Sequence, residues 1–151
     1  NLHEFVVECF KRTEELGLCI WGVCPYDNTF YMKEGSESQN LKYIIGACFG
    51  LIVDRKRQLL QTEYNQYEDM EFSIKHFRRD GGVQRYNSVY IKTKYFGDGG
   101  INSSYGGFAN RQKDMEDAGK RFVLQYPKFC RLVRKKIGYD VRLNHKAKPT
   151  D

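Results

Sequence analysis

Two adjacent carboxylates, Glu68 and Asp69, open a segment in which apolar residues recur at helical spacing. A carboxylate held at the first turn of a helix can accept a proton from a hydroxyl group during group transfer. The helix dipole also favours acids at this end, and basic residues follow in the last turn of the same segment. The pair by itself therefore does not decide between catalysis and helix stability.

A second candidate is the glycine-rich segment 97–110, which contains Gly99 and Gly100. Successive backbone N–H groups in such a loop can bind an anion, and Lys92 and Lys94 precede it. An ordinary surface loop is the alternative, because the segment matches neither a Walker loop nor a dinucleotide fingerprint.

Aromatic residues offer a third kind of chemistry. Trp21 lies shortly before Asp27 and Asn28, where it could stack on a sugar or a base, or simply belong to the core. Farther along, tyrosines alternate with Arg85, Lys92 and Lys94. This mixture suits single-stranded nucleic acid, in which aromatic rings stack on bases and cations contact phosphates.

Charge is distributed unevenly along the chain. Residues 1–53 carry four basic and seven acidic residues and a net charge of −3, whereas residues 111–151 carry twelve basic and five acidic residues and +7. A basic surface that faces a polyanion such as DNA would produce this asymmetry, and so would a solvated surface with a basic tail.

The pattern of elements indicates one α/β domain over residues 1–144, followed by a polar tail over residues 145–151. A helix ends near Gly17, and a buried strand follows and ends at Pro25. Residues 41–53 predict one bent strand or two short ones, residues 59–63 an edge strand, and residues 83–95 a further strand. We expect a mixed sheet flanked by helices.

The chain has five cysteines, an odd number. Three of them lie in apolar runs, and the spacing between the cysteines matches no common zinc site. This usage favours free thiols and an intracellular location. No apolar run is long enough to span a membrane, so no membrane partner is expected.

Four motifs follow one another between residues 18 and 107. They are W-G-V-C-P-Y-D-N from Trp21, the segment between Gly46 and Gly50, Y-E-D-M-E-F-S from Tyr67, and D-G-G-V-Q-R-Y-N from Asp80. In this order they resemble glycosyltransferases of the A fold type. Within these they are most similar to the group associated with thymine-oxidising dioxygenases, which includes base J glucosyltransferases and phage DNA-modifying relatives.

The resemblance implies a glycosyltransferase-A-like fold and a role for each matching residue. Asp69 would be the base or would orient the acceptor, with Glu68 in support. Trp21, Asp27 and Asn28 would line the donor or acceptor pocket. Arg85, Lys92 and Lys94 would face the diphosphate or the DNA backbone, and Asn87 belongs to the same group of binding residues. Related enzymes hold a divalent metal, Mg²⁺ or Mn²⁺, on an Asp-x-Asp motif that this chain lacks.

Two explanations for the missing motif stay open. Either the N-terminal nucleotide-binding part lies upstream of Asn1, or the donor is bound differently. A late histidine completes the metal site in related enzymes, which makes His145 the candidate metal ligand. The resulting hypothesis is transfer of a sugar from a nucleotide sugar to a hydroxymethylated pyrimidine in DNA. The alternatives are a non-catalytic nucleic-acid-binding domain and a transferase that modifies proteins.

Overall fold

The computed structural model describes residues 1–28, 32–92, 104–136 and 138–151. Within these ranges the elements are α1 (Leu2–Glu15), β1 (Ile20–Cys24), β2 (Glu37–Ser38), β3 (Phe49–Leu51), α2 (Glu68–Asp80), β4 (Gln84–Tyr90), α3 (Phe108–Gln125), β5 (Cys130–Arg134) and β6 (Tyr139–Leu143). None of the helices in the described part of the chain is long and apolar enough to cross a membrane.

Four of the strands form one sheet with the order β2-β4-β1-β3. β1 runs parallel to β4 and antiparallel to β3, and β2 runs antiparallel to β4. β5 and β6 form a separate two-stranded antiparallel sheet. The prediction of a mixed α/β sheet is therefore confirmed.

The central strand β1 is buried on both faces, as its continuous apolar run predicts. Successive side chains of a strand point to opposite faces. Trp21 accordingly packs in one core cluster with Cys9 of α1, whereas Ile20 packs in the other with Ile74 of α2. Helices cover both faces of the sheet, in agreement with the sequence prediction.

Both ends of α2 use left-handed backbone. Gly81 has φ +85° and its N–H donates to the carbonyl of Phe77, so a glycine caps the C-terminal end of the helix. At the other end Tyr67 has φ +66°, a conformation that a non-glycine residue adopts at a cost. The turn at Tyr67 makes Glu68 the first residue of α2.

Two strand predictions are wrong. Within residues 41–53 only Phe49–Leu51 is a strand, because the N–H of Ile44 donates to the Ser73 hydroxyl on α2 instead of to a neighbouring strand. Residues 59–63 do not form an edge strand either. The N–H of Glu63 donates to the Glu71 carboxylate, so a helix side chain takes the place of a strand partner.

The predicted polar tail is not separate from the domain. Ala147 is 8% exposed and belongs to the main core cluster. The backbone carbonyl of His145 accepts from Asn40, and its ring contacts the carbonyl of Leu41. The sequence does not indicate this contact with the domain, because the segment is mostly polar and only one small apolar residue, Ala147, enters the core.

The Trp21 side chain lies directly across Gly50, its partner residue on β3. A Cβ added at Gly50 would lie 2.1 Å from Trp21 Nε1, a distance that no side chain can occupy. The indole ring is 2% exposed, and the aromatic rings of Phe5, Phe10 and Tyr86 surround it edge-on. The glycine is therefore needed for the tryptophan to fit.

We expect Gly50→Ala to lower the free energy of unfolding by about 1 to 3 kcal/mol, the usual cost of overpacking a core. Urea denaturation followed by far-UV circular dichroism measures the change. Gly46→Ala is the matched control, because a Cβ there meets nothing closer than 3.8 Å. Equal stability of the two variants would contradict the packing argument.

Candidate functional site

The predicted acid pair lies at the edge of a cavity of about 650 Å³, which we call the carboxylate cavity. Its wall combines Glu68 and Asp69 with apolar side chains and with the segment after β3. The residues that line it are Ile20, Ile44, Gly46, Phe49, Leu60, Gln61, Thr62, Glu68, Asp69 and Phe72. The helix start therefore presents both carboxylates to a largely apolar space.

Three neighbours hold the Asp69 carboxylate in place. Its Oδ2 accepts a short hydrogen bond from the Tyr43 hydroxyl and a longer one, 3.4 Å, from the N–H of Gly46. Its Oδ1 accepts from the N–H of Met70 at 2.9 Å. A carboxylate with fixed hydrogen-bond donors keeps one orientation, which a general base requires.

The surroundings of the acid pair shift the pKa of Glu68 and that of Tyr43. Burial against the cavity wall raises the pKa of Glu68, and the neighbouring charge of Asp69 adds to this rise. Burial also raises the pKa of Tyr43, and the contact with Asp69 raises it further, so the tyrosine stays a hydroxyl donor. Tyr43 was not among the residues singled out from the sequence, because nothing local indicates that it meets α2.

Ser73 joins the segment that carries Tyr43 to the helix that carries Asp69. Its hydroxyl donates to the Asp69 carbonyl at 2.7 Å and accepts from the N–H of Ile44 at 3.0 Å. The serine is fully buried. The Ser73 hydroxyl therefore ties the backbone next to Tyr43 to the helix turn that carries Asp69.

The buried carboxylate of Glu71 binds the chain just after residues 60–62, which line the carboxylate cavity. It accepts from the N–H groups of Glu63 at 2.7 Å and Tyr64 at 3.1 Å, and from the Tyr126 hydroxyl at 3.1 Å. The Nζ of Lys75 lies 2.8 Å from Oε1 of Glu71 and also donates a hydrogen bond to the carbonyl of Gln61. Burial alone would raise the pKa of Glu71, but these donors hold it below its usual value.

Tyr43 lines a second depression, of about 690 Å³, which we call the basic cleft. Tyr43 and Met70 line it, and both adjoin Asp69 of the carboxylate cavity, because the Tyr43 hydroxyl donates to Asp69 and Met70 follows Asp69 in the chain. Its lining residues are Cys24, Tyr26, Asn28, Lys42, Tyr43, Met70, Arg85, Lys135, Asp140, Val141, Arg142, Leu143 and His145. The cleft begins where β1 ends, as expected for a ligand site in an α/β sheet.

Four lysine and arginine side chains line the basic cleft, together with one acid. The four are Lys42, Arg85, Lys135 and Arg142. That acid, Asp140, already pairs with Lys135 at 2.5 Å. Among the described residues no carboxylate forms a salt bridge with the other three cations. The cleft therefore has an excess of positive charge.

Some of the predicted binding residues line this cleft and others support it. Asn28 and Arg85 belong to its wall. Asn87 is buried, donates to the hydroxyls of Ser36 and Ser38, and accepts from Nε of Arg85 at 2.8 Å. Asn87 therefore orients the guanidinium of Arg85 and does not itself line the cleft.

Other predicted residues lie elsewhere. Trp21 is buried in the core, so its assignment to a pocket is wrong and the core alternative is correct. Asp27 is exposed and interacts with Tyr90, and Lys92 is exposed just after β4. Lys94, Gly99 and Gly100 lie outside the described residues.

The surroundings of His145 do not fit a divalent metal. Its Nδ1 lies 2.7 Å from the Leu41 carbonyl oxygen. Burial lowers the pKa of the imidazole, and the charges of Lys42, Arg85 and Arg142 lower it further. The same positive charges would repel a metal ion, and the described residues contain no cluster of three metal-binding side chains.

Comparison with protein-family models, with curated proteins and with solved structures finds no match to this chain.

Proposed function

We propose that the protein transfers a sugar from a nucleotide sugar to a hydroxymethylated pyrimidine base in DNA. One observation carries the proposal: the Tyr43 side chain donates a hydrogen bond to a positioned carboxylate and also lines a cleft with an unneutralised group of cations. Sugar transfer needs a base for the acceptor hydroxyl and positive charge for the departing diphosphate. The order of the sequence motifs supports the same reaction.

In this proposal Asp69 accepts the proton of the acceptor hydroxyl while the hydroxyl oxygen bonds to the anomeric carbon of the donor. The bond from that carbon to the diphosphate oxygen breaks, and its electron pair leaves with the diphosphate. Tyr43 and the N–H of Gly46 keep Asp69 oriented. Glu68 supplies a second carboxylate to the lining of the cavity.

The carboxylate cavity has the character expected of a site for a flat base. Phe49 and Phe72 line it with their ring centres 6.3 Å apart and their planes at 75°. Enzymes that modify a base take it out of the DNA stack and hold it against apolar or aromatic side chains. A hydroxymethyl group on such a base could then reach Asp69.

Positive charge on the protein surface supports DNA as the acceptor. The twelve basic residues after position 110 include Arg131 and Arg142, which lie opposite each other on β5 and β6 and are both exposed. Lysine and arginine side chains that neutralise phosphates supply most of the affinity of proteins for DNA.

The decisive experiment incubates the full native protein with DNA that contains 5-hydroxymethylcytosine or 5-hydroxymethyluracil and with a panel of nucleotide sugars. Nucleoside mass spectrometry then shows whether a modified nucleoside gains the mass of one sugar residue. We expect a gain with at least one donor, and unmodified DNA serves as the control. The absence of a mass change with every donor would contradict the proposal.

The unpaired cations of the basic cleft also favour a second candidate, a non-catalytic nucleic-acid-binding domain. This candidate predicts binding to ordinary DNA that weakens steeply with salt and is unaffected by nucleotide sugars. A fluorescence anisotropy titration with and without nucleotide sugar distinguishes the two functions.

A further inference from the structure

The cations of the basic cleft come from separate parts of the chain. Lys42 precedes Tyr43, Arg85 lies on β4, and Arg142 lies on β6. These residues are not neighbours in the sequence, so a local run of basic residues does not explain their meeting. The fold itself brings them together.

Gathering these charges costs free energy. Burial lowers the pKa of Lys42, and the nearby charge of Arg85 lowers it further. Burial also lowers the pKa of Arg85, whose Nε donates a hydrogen bond to the neutral amide oxygen of Asn87. Cations that are partly removed from water usually have carboxylate partners, which these lack among the described residues.

The pairing of β5 and β6 adds a further unfavourable contact. Arg131 lies directly opposite Arg142 in the antiparallel register, so both side chains leave the same face of the sheet. Like charges at directly opposed positions destabilise a strand pair. An anionic ligand beside this strand pair would relieve the repulsion.

We propose that the basic cleft binds the diphosphate group of a nucleoside diphosphate directly, with Lys42, Arg85 and Arg142 in the place of a divalent cation. The proposal deepens the proposed function, on which it rests for the choice of a nucleotide as the ligand. Arginine suits the task because its planar guanidinium group binds phosphate oxygens in pairs.

The position of the cleft agrees with this role. A diphosphate in it lies next to Tyr43, whose hydroxyl contacts the proposed base Asp69. The sugar attached to the diphosphate would then be near Tyr43 and Met70, the residues of the cleft that adjoin Asp69. Tyr26, 64% exposed at the same cleft, offers an aromatic face for the nucleotide base.

The test is an isothermal titration of the full chain with inorganic pyrophosphate in the presence of EDTA. We expect binding without metal and a loss of affinity of about tenfold for Lys42→Gln and again for Arg142→Gln, the usual effect of one charge-assisted hydrogen bond. Neither side chain forms a salt bridge in the described structure, so both variants are expected to fold. Circular dichroism confirms this.

Lys11→Gln and Arg121→Gln are the matched controls, because both side chains are exposed on helices and neither lines the cleft. Their affinity for pyrophosphate should stay within about twofold of the parent, since surface charges away from a site have small effects. The titration is repeated with Mg²⁺ and with an ordinary duplex oligonucleotide.

Two results would overturn the proposal. One is binding of pyrophosphate only when Mg²⁺ is present. The other is that the cleft variants lose affinity for the duplex but not for pyrophosphate, which would make the cleft a DNA contact. Because the titration requires no acceptor and no turnover, pyrophosphate binding can succeed where sugar transfer fails, and the two proposals fail separately.

Discussion

We expect Asp69→Asn to lower the rate of sugar transfer by about 10² to 10⁴-fold, the usual contribution of a general base, while the fold is unchanged. The variant keeps an oxygen that can accept from Tyr43 but can no longer accept a proton from the acceptor hydroxyl. Single-turnover kinetics with a hydroxymethylated oligonucleotide measure the loss, and circular dichroism verifies the fold.

Asp117→Asn on α3 is the matched control for the same chemical change. Its carboxylate is 53% exposed and pairs only loosely with Lys120, at 3.7 Å. We expect normal turnover for this variant. A nucleic-acid-binding domain would behave differently, because Asp69→Asn would then bind DNA as well as the parent or slightly better through the lost negative charge.

Tyr43→Phe separates the positioning of Asp69 from its role as the base. The variant removes the hydroxyl that donates to Asp69 and leaves the ring in the lining of the basic cleft. We expect a smaller loss of turnover than for Asp69→Asn, with the affinity for pyrophosphate maintained. Unchanged turnover in both variants would remove Asp69 from the proposed mechanism.

The largest effect on stability is expected for Glu71→Ala, at about 3 to 5 kcal/mol, the usual cost of removing one partner of a buried ion pair. The side chain of Glu71 is completely buried. Its loss leaves Lys75 without its closest acid and leaves the N–H groups of Glu63 and Tyr64 without an acceptor. Urea denaturation measures the change in the free energy of unfolding.

Glu15→Ala on α1 is the control, because its carboxylate is 51% exposed and pairs with Arg12 at 3.7 Å. Exposed pairs of this kind contribute about 0 to 1 kcal/mol. A cost for Glu71→Ala as small as that of the control would contradict the assignment of Glu71 as the anchor of the cavity wall.

Glu71 also links stability to the site. Leu60, Gln61 and Thr62 line the carboxylate cavity, and the donors to Glu71 follow immediately in the chain. Glu71→Gln keeps the size of the side chain but weakens its hold on this segment. We expect it to raise KM for the DNA acceptor more than it lowers kcat, because the wall rather than the base is disturbed.

The elements that follow local rules could be predicted from the sequence. The helix from Glu68 to Asp80 has its acids, its apolar spacing and its glycine stop within one short segment, and the structure has it with the expected end. The buried strand β1 follows from a continuous apolar run. Such signals depend on neighbours within a few residues.

The site was only partly predictable, because its contacts join distant segments. Tyr43 meets Asp69 across 26 positions, and His145 meets Leu41 across 104. Glu71 stands in the first turn of α2 with Glu68 and Asp69, where the helix dipole alone would explain it, although it is the most buried of the three. The sequence pattern predicts which face of a helix or strand a residue occupies, but it does not predict which distant residue it contacts there.

The fit of Trp21 over Gly50 has a practical consequence. This is the single tryptophan of the chain, and it is held in a dry aromatic environment at the centre of the sheet. Its fluorescence should therefore be emitted at short wavelength in the native protein and move to longer wavelength when the sheet opens to water. Because the ring borders neither the carboxylate cavity nor the basic cleft, pyrophosphate should leave that emission unchanged. Tryptophan fluorescence should therefore report the unfolding of this protein and should not change when ligand binds.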